Sequence, residues 1–222
     1  MSQTVRTTGM FVGFAIVVLA AGAGLAEAQQ QGDWHLGMRA VFVDTDALSE
    51  PVLDTTSRLA VDSALGLEFD ATYMLGHNWG LELMAMAAQH DLNAYSGQYD
   101  GLDVGTVWIA ETTLTLRYIV PLFGSWRPYL GAGVAGTYFF ESDTTDEAGD
   151  LGIDSVESNF GYGFVGQVGL MHRFSDHWML TLDVKWLDLP VDVDLESSGP
   201  PLDTVEIDLD PIVVGLGAAY RF

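Results

Sequence analysis

A two-residue period runs through this chain from Trp34 to its end, and it favours a sheet over any helical fold. In Trp34 to Asp44 the even positions Trp34, Leu36, Met38, Ala40 and Phe42 are apolar, with His35, Gly37 and Arg39 between them. Alternation of this kind puts successive side chains on opposite faces of an extended strand. It recurs in Ala64 to Leu75, Trp79 to His90, Trp108 to Val120, Trp126 to Phe140, Phe160 to Phe174, Trp178 to Asp188 and Val205 to Phe222, eight segments in all. After residue 30 no apolar run approaches the length of a membrane-crossing helix. In the last segment the apolar parity shifts near Pro211, which predicts a bulge or an upper strand end there.

The connections alternate as well. Those after the second, fourth and sixth segments are short (Gly76 to Asn78, Pro121 to Ser125, Ser175 to His177), whereas those after the first, third, fifth and seventh are long and polar. Short periplasmic turns opposite long extracellular loops are the pattern of an outer-membrane barrel, and an even strand number puts both ends on the periplasmic side. Trp34, Tyr73, Trp79, Tyr118, Trp126, Phe174, Trp178, Tyr220 and Phe222 all fall beside the short turns, where such a barrel carries its lower aromatic girdle. A soluble lipocalin-like barrel alternates too, but keeps its apolar face inside. Here that arrangement would turn Glu68, Glu82, Glu111, Arg117, Asp183 and Lys185 outward and crowd every girdle aromatic into a narrow core. The expected fold is therefore all-β, an eight-stranded antiparallel transmembrane β-barrel.

The first residues agree with that compartment. Arg6 precedes an apolar stretch from Met10 to Leu25 that ends in Ala26-Glu27-Ala28, the layout of a secretory signal peptide. We expect residues 1–28 to be removed after Ala28, leaving a barrel over residues 29–222 in the bacterial outer membrane, with four long acidic extracellular loops and three short periplasmic turns. An uncleaved anchor would call for a basic stop-transfer cluster, and none follows.

Cleavage removes one base and one acid, so the formal charge stays at −23. The acids lie in blocks, one from Glu141 to Glu157 and another from Asp188 to Asp210, separated by segments nearly free of net charge. Apolar strands joined by solvated loops account for this better than a disordered acidic tail does. Nucleic acid is excluded as a partner, since binding it requires Lys and Arg to neutralise phosphates. With no cysteine, the chain has neither a disulfide framework nor a thiolate metal site.

Orienting the segments by their turns gives the interior two zones. Inward positions near the outer end are Val41, Val43, Met84, Met86, Ala88, Ile109 and Leu187, a candidate hydrophobic pocket. Nearer the periplasm they are His35, Arg39, Glu82, Arg117, Asp183, Lys185 and Arg221, a candidate charged plug. An apolar pocket above a charged plug suits a greasy ligand and blocks a straight aqueous path, and methionines adapt to varied shapes. The same residues serve equally as interior packing, because a barrel of eight strands is filled by its own side chains. Glu82, Glu111 and Asp183 invite an acid–base reading, but the nearby cations favour structural pairing of buried charge. No Ser/His/Asp spacing, glycine-rich phosphate loop or metal-ligand cluster appears, so neither an enzyme nor a cofactor is expected. His90 is either a ligand-facing group or a loop anchor, and Pro128 and Pro211 either weaken the wall or mark strand ends.

Several stretches carry a resemblance. Arg127-Pro128-Tyr129-Leu130-Gly131-Ala132-Gly133-Val134, continuing to Thr137-Tyr138-Phe139-Phe140, resembles the fifth strand of the OmpW family of outer-membrane proteins. Thr113 to Tyr118 is similar to its fourth strand, Trp79 to Leu83 with His90-Asp91-Leu92 to its third, and Asp210 to Gly217 with Tyr220-Arg221-Phe222 to its end. The chain departs from the family where Ala110 and Glu111 replace a double proline, where Ile212 replaces an aromatic, and in its unusually acidic loops. The resemblance implies passive uptake of small hydrophobic molecules that enter from outside and leave sideways through the wall into the membrane. The partners it implies are outer-membrane lipid and lipopolysaccharide, small hydrophobic solutes, and the barrel assembly machinery reading the terminal Phe222. The competing reading is a structural or surface-interaction barrel whose acidic loops bind divalent cations, lipopolysaccharide or a partner. Asp143 to Asp154 lacks the regular spacing of a calcium loop, and a solvated surface suited to a saline habitat is the favoured account of these acids.

Overall fold

The computed structural model describes residues 31–45, 58–121, 124–145, 155–158, 160–196 and 205–222. The expected leader with its cleavage point after Ala28, and the loop stretches 46–57, 146–154 and 197–204, lie outside the described residues. Eleven strands follow in chain order: β1 (Trp34–Asp44), β2 (Arg58–Val61), β3 (Ala64–Met74), β4 (Trp79–Tyr95), β5 (Asp103–Ile119), β6 (Trp126–Thr144), β7 (Ser155–Ser158), β8 (Gly161–Arg173), β9 (Trp178–Glu196), β10 (Val205–Leu209) and β11 (Ile212–Arg221). Eight of them, β1, β3, β4, β5, β6, β8, β9 and β11, close into an antiparallel barrel whose last strand pairs with its first. Closure leaves the wall no free edge, so every backbone group in the wall can be paired within lipid.

The faces of the wall are inverted relative to a soluble protein. Leu65 is 78% and Tyr162 77% exposed on the outside, whereas Arg39, Glu68, Glu82, Asp183 and Lys185 are buried within. That distribution fits a lipid-facing barrel and not a lipocalin-like one. The lower girdle forms as ring pairs across adjacent strands: Trp34 with Tyr73 and Trp79 with Tyr118, both at 5.0 Å, and Trp178 with Tyr220 at 5.1 Å. The short turns below are closed by backbone bonds, Leu75 N–H to Trp79 O at 2.9 Å and Phe174 N–H to Trp178 O at 3.2 Å.

Above the girdle the strands outrun the sequence expectation. β4 and β5 are 17 residues each, β6 and β9 are 19 each, where about 10 suffice to cross a bilayer. β2 pairs with the upper end of β4, Val61 opposite Leu92, and β7 and β10 flank the upper end of β9. The long polar loop expected after the third segment is correspondingly absent. The link is Ser96 to Leu102, a tight hairpin tip around a 3-10 turn in which Ser96, Gly97 and Gly101 take positive φ of 64°, 74° and 82°. Polar residues here are not loop residues. Along upper β4, Gln89 and Asp91 point out and Leu92 and Ala94 point in, the reverse of the membrane segment below, where Leu81 and Leu83 are exposed and Glu82 is buried. The strand has left lipid for water without ending. At Pro211 the last track breaks between β10 and β11, where the apolar parity shifts.

Candidate functional site

The middle of the barrel is a tier of paired charge assembled from seven wall strands. Arg39 of β1 is its hub. It pairs with Glu68, lies 3.0 Å from Asp70, 3.4 Å from Asp183 and 3.6 Å from Glu82, and donates through Nε to Thr181 Oγ1 at 3.2 Å. Lys185 donates to Glu68 at 2.6 Å and Asp183 at 3.3 Å. Arg117 of β5 pairs with Glu82, donates to Thr72 at 3.1 Å and lies 3.7 Å over the Tyr129 ring. Gln167 of β8 donates to Glu82 at 3.0 Å, and the Tyr129 hydroxyl of β6 to Asp183 at 3.1 Å. The remaining wall strand, β11, contributes space. A Cβ on Gly215 would lie 2.7 Å from Asp183 Oδ1, and one on Gly217 2.6 Å from the Arg39 Cα.

Of the seven residues assigned to the plug from sequence, Arg39, Glu82, Arg117, Asp183 and Lys185 meet in this tier. His35 and Arg221 do not. The β1–β11 register sets them opposite each other at the periplasmic rim, where the Arg221 Nε lies 3.5 Å from Asp33. Glu68 and Asp70, on the same inward face of β3, belong to the network, as do Thr181, Gln167 and Tyr129. Face parity marks them as inward but not as partners. Nor is the charged tier the floor of the barrel. Met74, Ile119, Met171, Met179 and Ala219 form a buried apolar cluster on the periplasmic side, against the Tyr129 that also reaches up to Asp183.

Toward the outside, Val41, Val43, Met84, Met86, Ala88, Ile109 and Leu187 are buried in one apolar cluster that continues upward through Leu92, Ala94, Val104 and Val107. Within it runs a narrow crevice lined by Val43, Thr45, Met86, His90, Ile109, Glu111, Thr137, Leu189 and Pro211. It offers about 10 Å³ to the centre of a water-sized group. His90 anchors the bend between β2 and β3, its Nδ1 hydrogen donated to Asp62 O at 2.7 Å. On the lipid side of the same wall, an apolar groove of about 640 Å³ is lined by Leu65, Gly66, Leu67, Phe69, Ala85, Met86, Ala87 and Trp108. Met86 borders both spaces. Gly66, Ala85, Ala87 and Ala88 give β3 and β4 little side-chain cover between them, and a Cβ on Gly66 would meet Ala87 O at 2.5 Å. Among the described residues no group of three or more His, Asp or Glu side chains is arranged to hold a metal. The acidic positions 146–154 and 203, proposed from sequence as cation-binding or solvating loop residues, lie outside the described residues.

Compared with known proteins, residues 30–222 match the OmpW family. The chain is 25% identical to outer membrane protein W of Vibrio cholerae, covering 88% of this chain and 91% of the relative. It is 26% identical to the Pseudomonas aeruginosa protein named dibenzothiophene metabolism operon protein PahQ, over 70% of this chain and 71% of the other. Among solved structures, the crystal structure of OprG from Pseudomonas aeruginosa superposes with a TM-score of 0.79 at 27% identity, over 88% of this chain and 98% of that one.

Proposed function

The chain belongs to the OmpW family and sits in the bacterial outer membrane, and from that premise we propose that it takes up small hydrophobic molecules passively and releases them sideways into lipid. The observation that carries this reading is the change of interior at mid-height. A solute entering from outside meets an apolar chamber and then a tier in which Arg39, Arg117 and Lys185 are tied to four carboxylates. Breaking one partner from such a buried pair costs about 3–5 kcal/mol, which makes the tier a poor gate and a good floor. The side wall is the weaker barrier. Between β3 and β4 it is backed by glycine and alanine, and the 640 Å³ groove begins on its far side. The chamber is tight as it stands, so passage requires Met86 and its neighbours to move, which a flexible thioether does at little cost. The PahQ relative is named for a dibenzothiophene metabolism operon, and dibenzothiophene is itself a small apolar molecule.

The buried carboxylates serve as counter-charges in this reading and not as catalysts. Phe222, exposed beside Tyr220 at 4.8 Å, is the residue offered to the assembly machinery. The test is uptake of a panel of small apolar molecules by liposomes carrying the mature barrel, compared with Met84→Arg/Met86→Arg. Two buried cations in the chamber should abolish selective uptake while the barrel still folds. Uptake equal to that of empty liposomes by a folded wild-type barrel would overturn the proposal.

A further inference from the structure

Glu111 stands apart from the other buried acids. Glu68, Asp70, Glu82 and Asp183 each have a cation within 3.6 Å. Glu111, only 4% exposed, has an Oε1 that finds no hydrogen-bond donor among the described residues. Lys185 is committed to Glu68 and Asp183. A native fold seldom keeps an unanswered buried acceptor without a use for it. Glu111 lies on β5 above the charged tier, opposite Met86 on β4 and Thr137 on β6, and lines the crevice with both.

The other polar groups of the crevice are also left with lone pairs. His90 spends its Nδ1 hydrogen on Asp62 O, so the neutral ring offers an acceptor at Nε2. Thr137 spends its hydroxyl hydrogen on Ala110 O at 3.3 Å, which leaves its oxygen as an acceptor. Lone pairs on Glu111, His90, Thr137 and Thr45, whose own hydroxyl hydrogen goes to Val61 O at 2.8 Å, thus border a space of about 10 Å³ inside an otherwise apolar chamber, room for one small polar group. We propose that Glu111, His90 and Thr137 form a head-group subsite, and that the solutes selected are small apolar molecules carrying one hydrogen-bond-donating group, a hydroxyl or an ammonium. This rests on the uptake reading above and narrows its substrate class. The apolar body of the solute lies against Met86 and Ile109, and the donor turns toward Glu111.

The test reads occupancy of the chamber directly. The barrel in lipid nanodiscs, labelled at its methionine methyls and assigned through Met86→Leu, is titrated with n-octane, 1-octanol and n-octylamine. Wild type and Glu111→Leu are compared at equal loading of the same lipid, so partition into the bilayer cancels. 1-Octanol and n-octylamine should shift the Met86 methyl at about tenfold lower concentration in wild type than in Glu111→Leu, the size of one buried hydrogen bond. n-Octane should not tell the two apart. The near-isosteric Glu111→Gln, which keeps a carbonyl acceptor and cannot ionise against an ammonium, separates the two heads and decides the matter if Glu111→Leu fails to fold. It should keep the preference for 1-octanol over n-octane and lose that for n-octylamine. If all three probes changed in step across the variants, the subsite would be overturned while the chamber stood. Silence of Met86 toward every probe in wild type would remove the chamber, and both readings with it.

Discussion

Arg39 lies within 3.6 Å of Asp70, Asp183 and Glu82 and pairs with Glu68 as well, all inside the barrel. Replacing it by leucine leaves Lys185 and Arg117 to answer four carboxylates. An uncompensated buried charge of this kind costs about 3–5 kcal/mol, and the urea midpoint of Arg39→Leu in lipid should fall accordingly. A loss below about 1 kcal/mol would mean that water, not the guanidinium, balances the tier. How much of this tier could be read beforehand differs residue by residue. That Arg39, Glu82 and Asp183 face inward follows from a two-residue period, a local property of each segment. Who pairs with whom depends on register between strands far apart in sequence, and no single segment carries that information. Arg221 shares a face with Gly217 and was grouped with the plug, yet the register puts Gly217 beside Arg39 and Arg221 beside His35. The glycines of β11 read as gaps in a polar face. Their role as the space beside Arg39 and Asp183 emerges only once β1 and β11 are side by side.

β4 shows why element ends were harder to read than elements. Its lower half obeys the lipid rule, apolar out and polar in, and its upper half obeys the opposite one. A reader following one rule stops at His90, although the strand runs to Tyr95. The crossover near Gln89 marks where lipid gives way to water. Because the chain has no cysteine of its own, single cysteines at Leu83 and Asp91 report that boundary cleanly. A membrane-impermeant maleimide added to intact cells should label Asp91→Cys and leave Leu83→Cys unmodified. Equal protection at both would place the crossover higher. The break at Pro211 was legible because proline lacks the donor a ladder needs and sits where the apolar parity changes.

At the scale of the whole barrel the interior is stratified: apolar chamber, paired charge, apolar floor. Stratification turns a tube into a blind pocket with a thin flank, and lateral release tests that flank directly. Ala87→Trp places an indole in the outer groove without adding to the chamber. It should slow liposome uptake severalfold while Met86 still responds to bound solute. Unchanged uptake would send the exit elsewhere along the wall. Strand number, handed alternation and the lower girdle were all readable from sequence. The apolar floor was not, because Met74, Ile119, Met171 and Met179 come from four segments and look in each like an ordinary strand end. The seam of the barrel has its own implication. Phe222 N–H donates to Trp34 O at 2.9 Å, so the first and last strands meet at one rim like the ends of a closed bracelet. The wall is a cycle, and the polypeptide cuts it at one arbitrary link. A circular permutant with its natural ends joined and new ones opened at the Ser96–Leu102 tip would carry the same ring of eight neighbours in the same order. Closure of that permutant would show that the ring is fixed by the order of its neighbours and not by where the chain is cut.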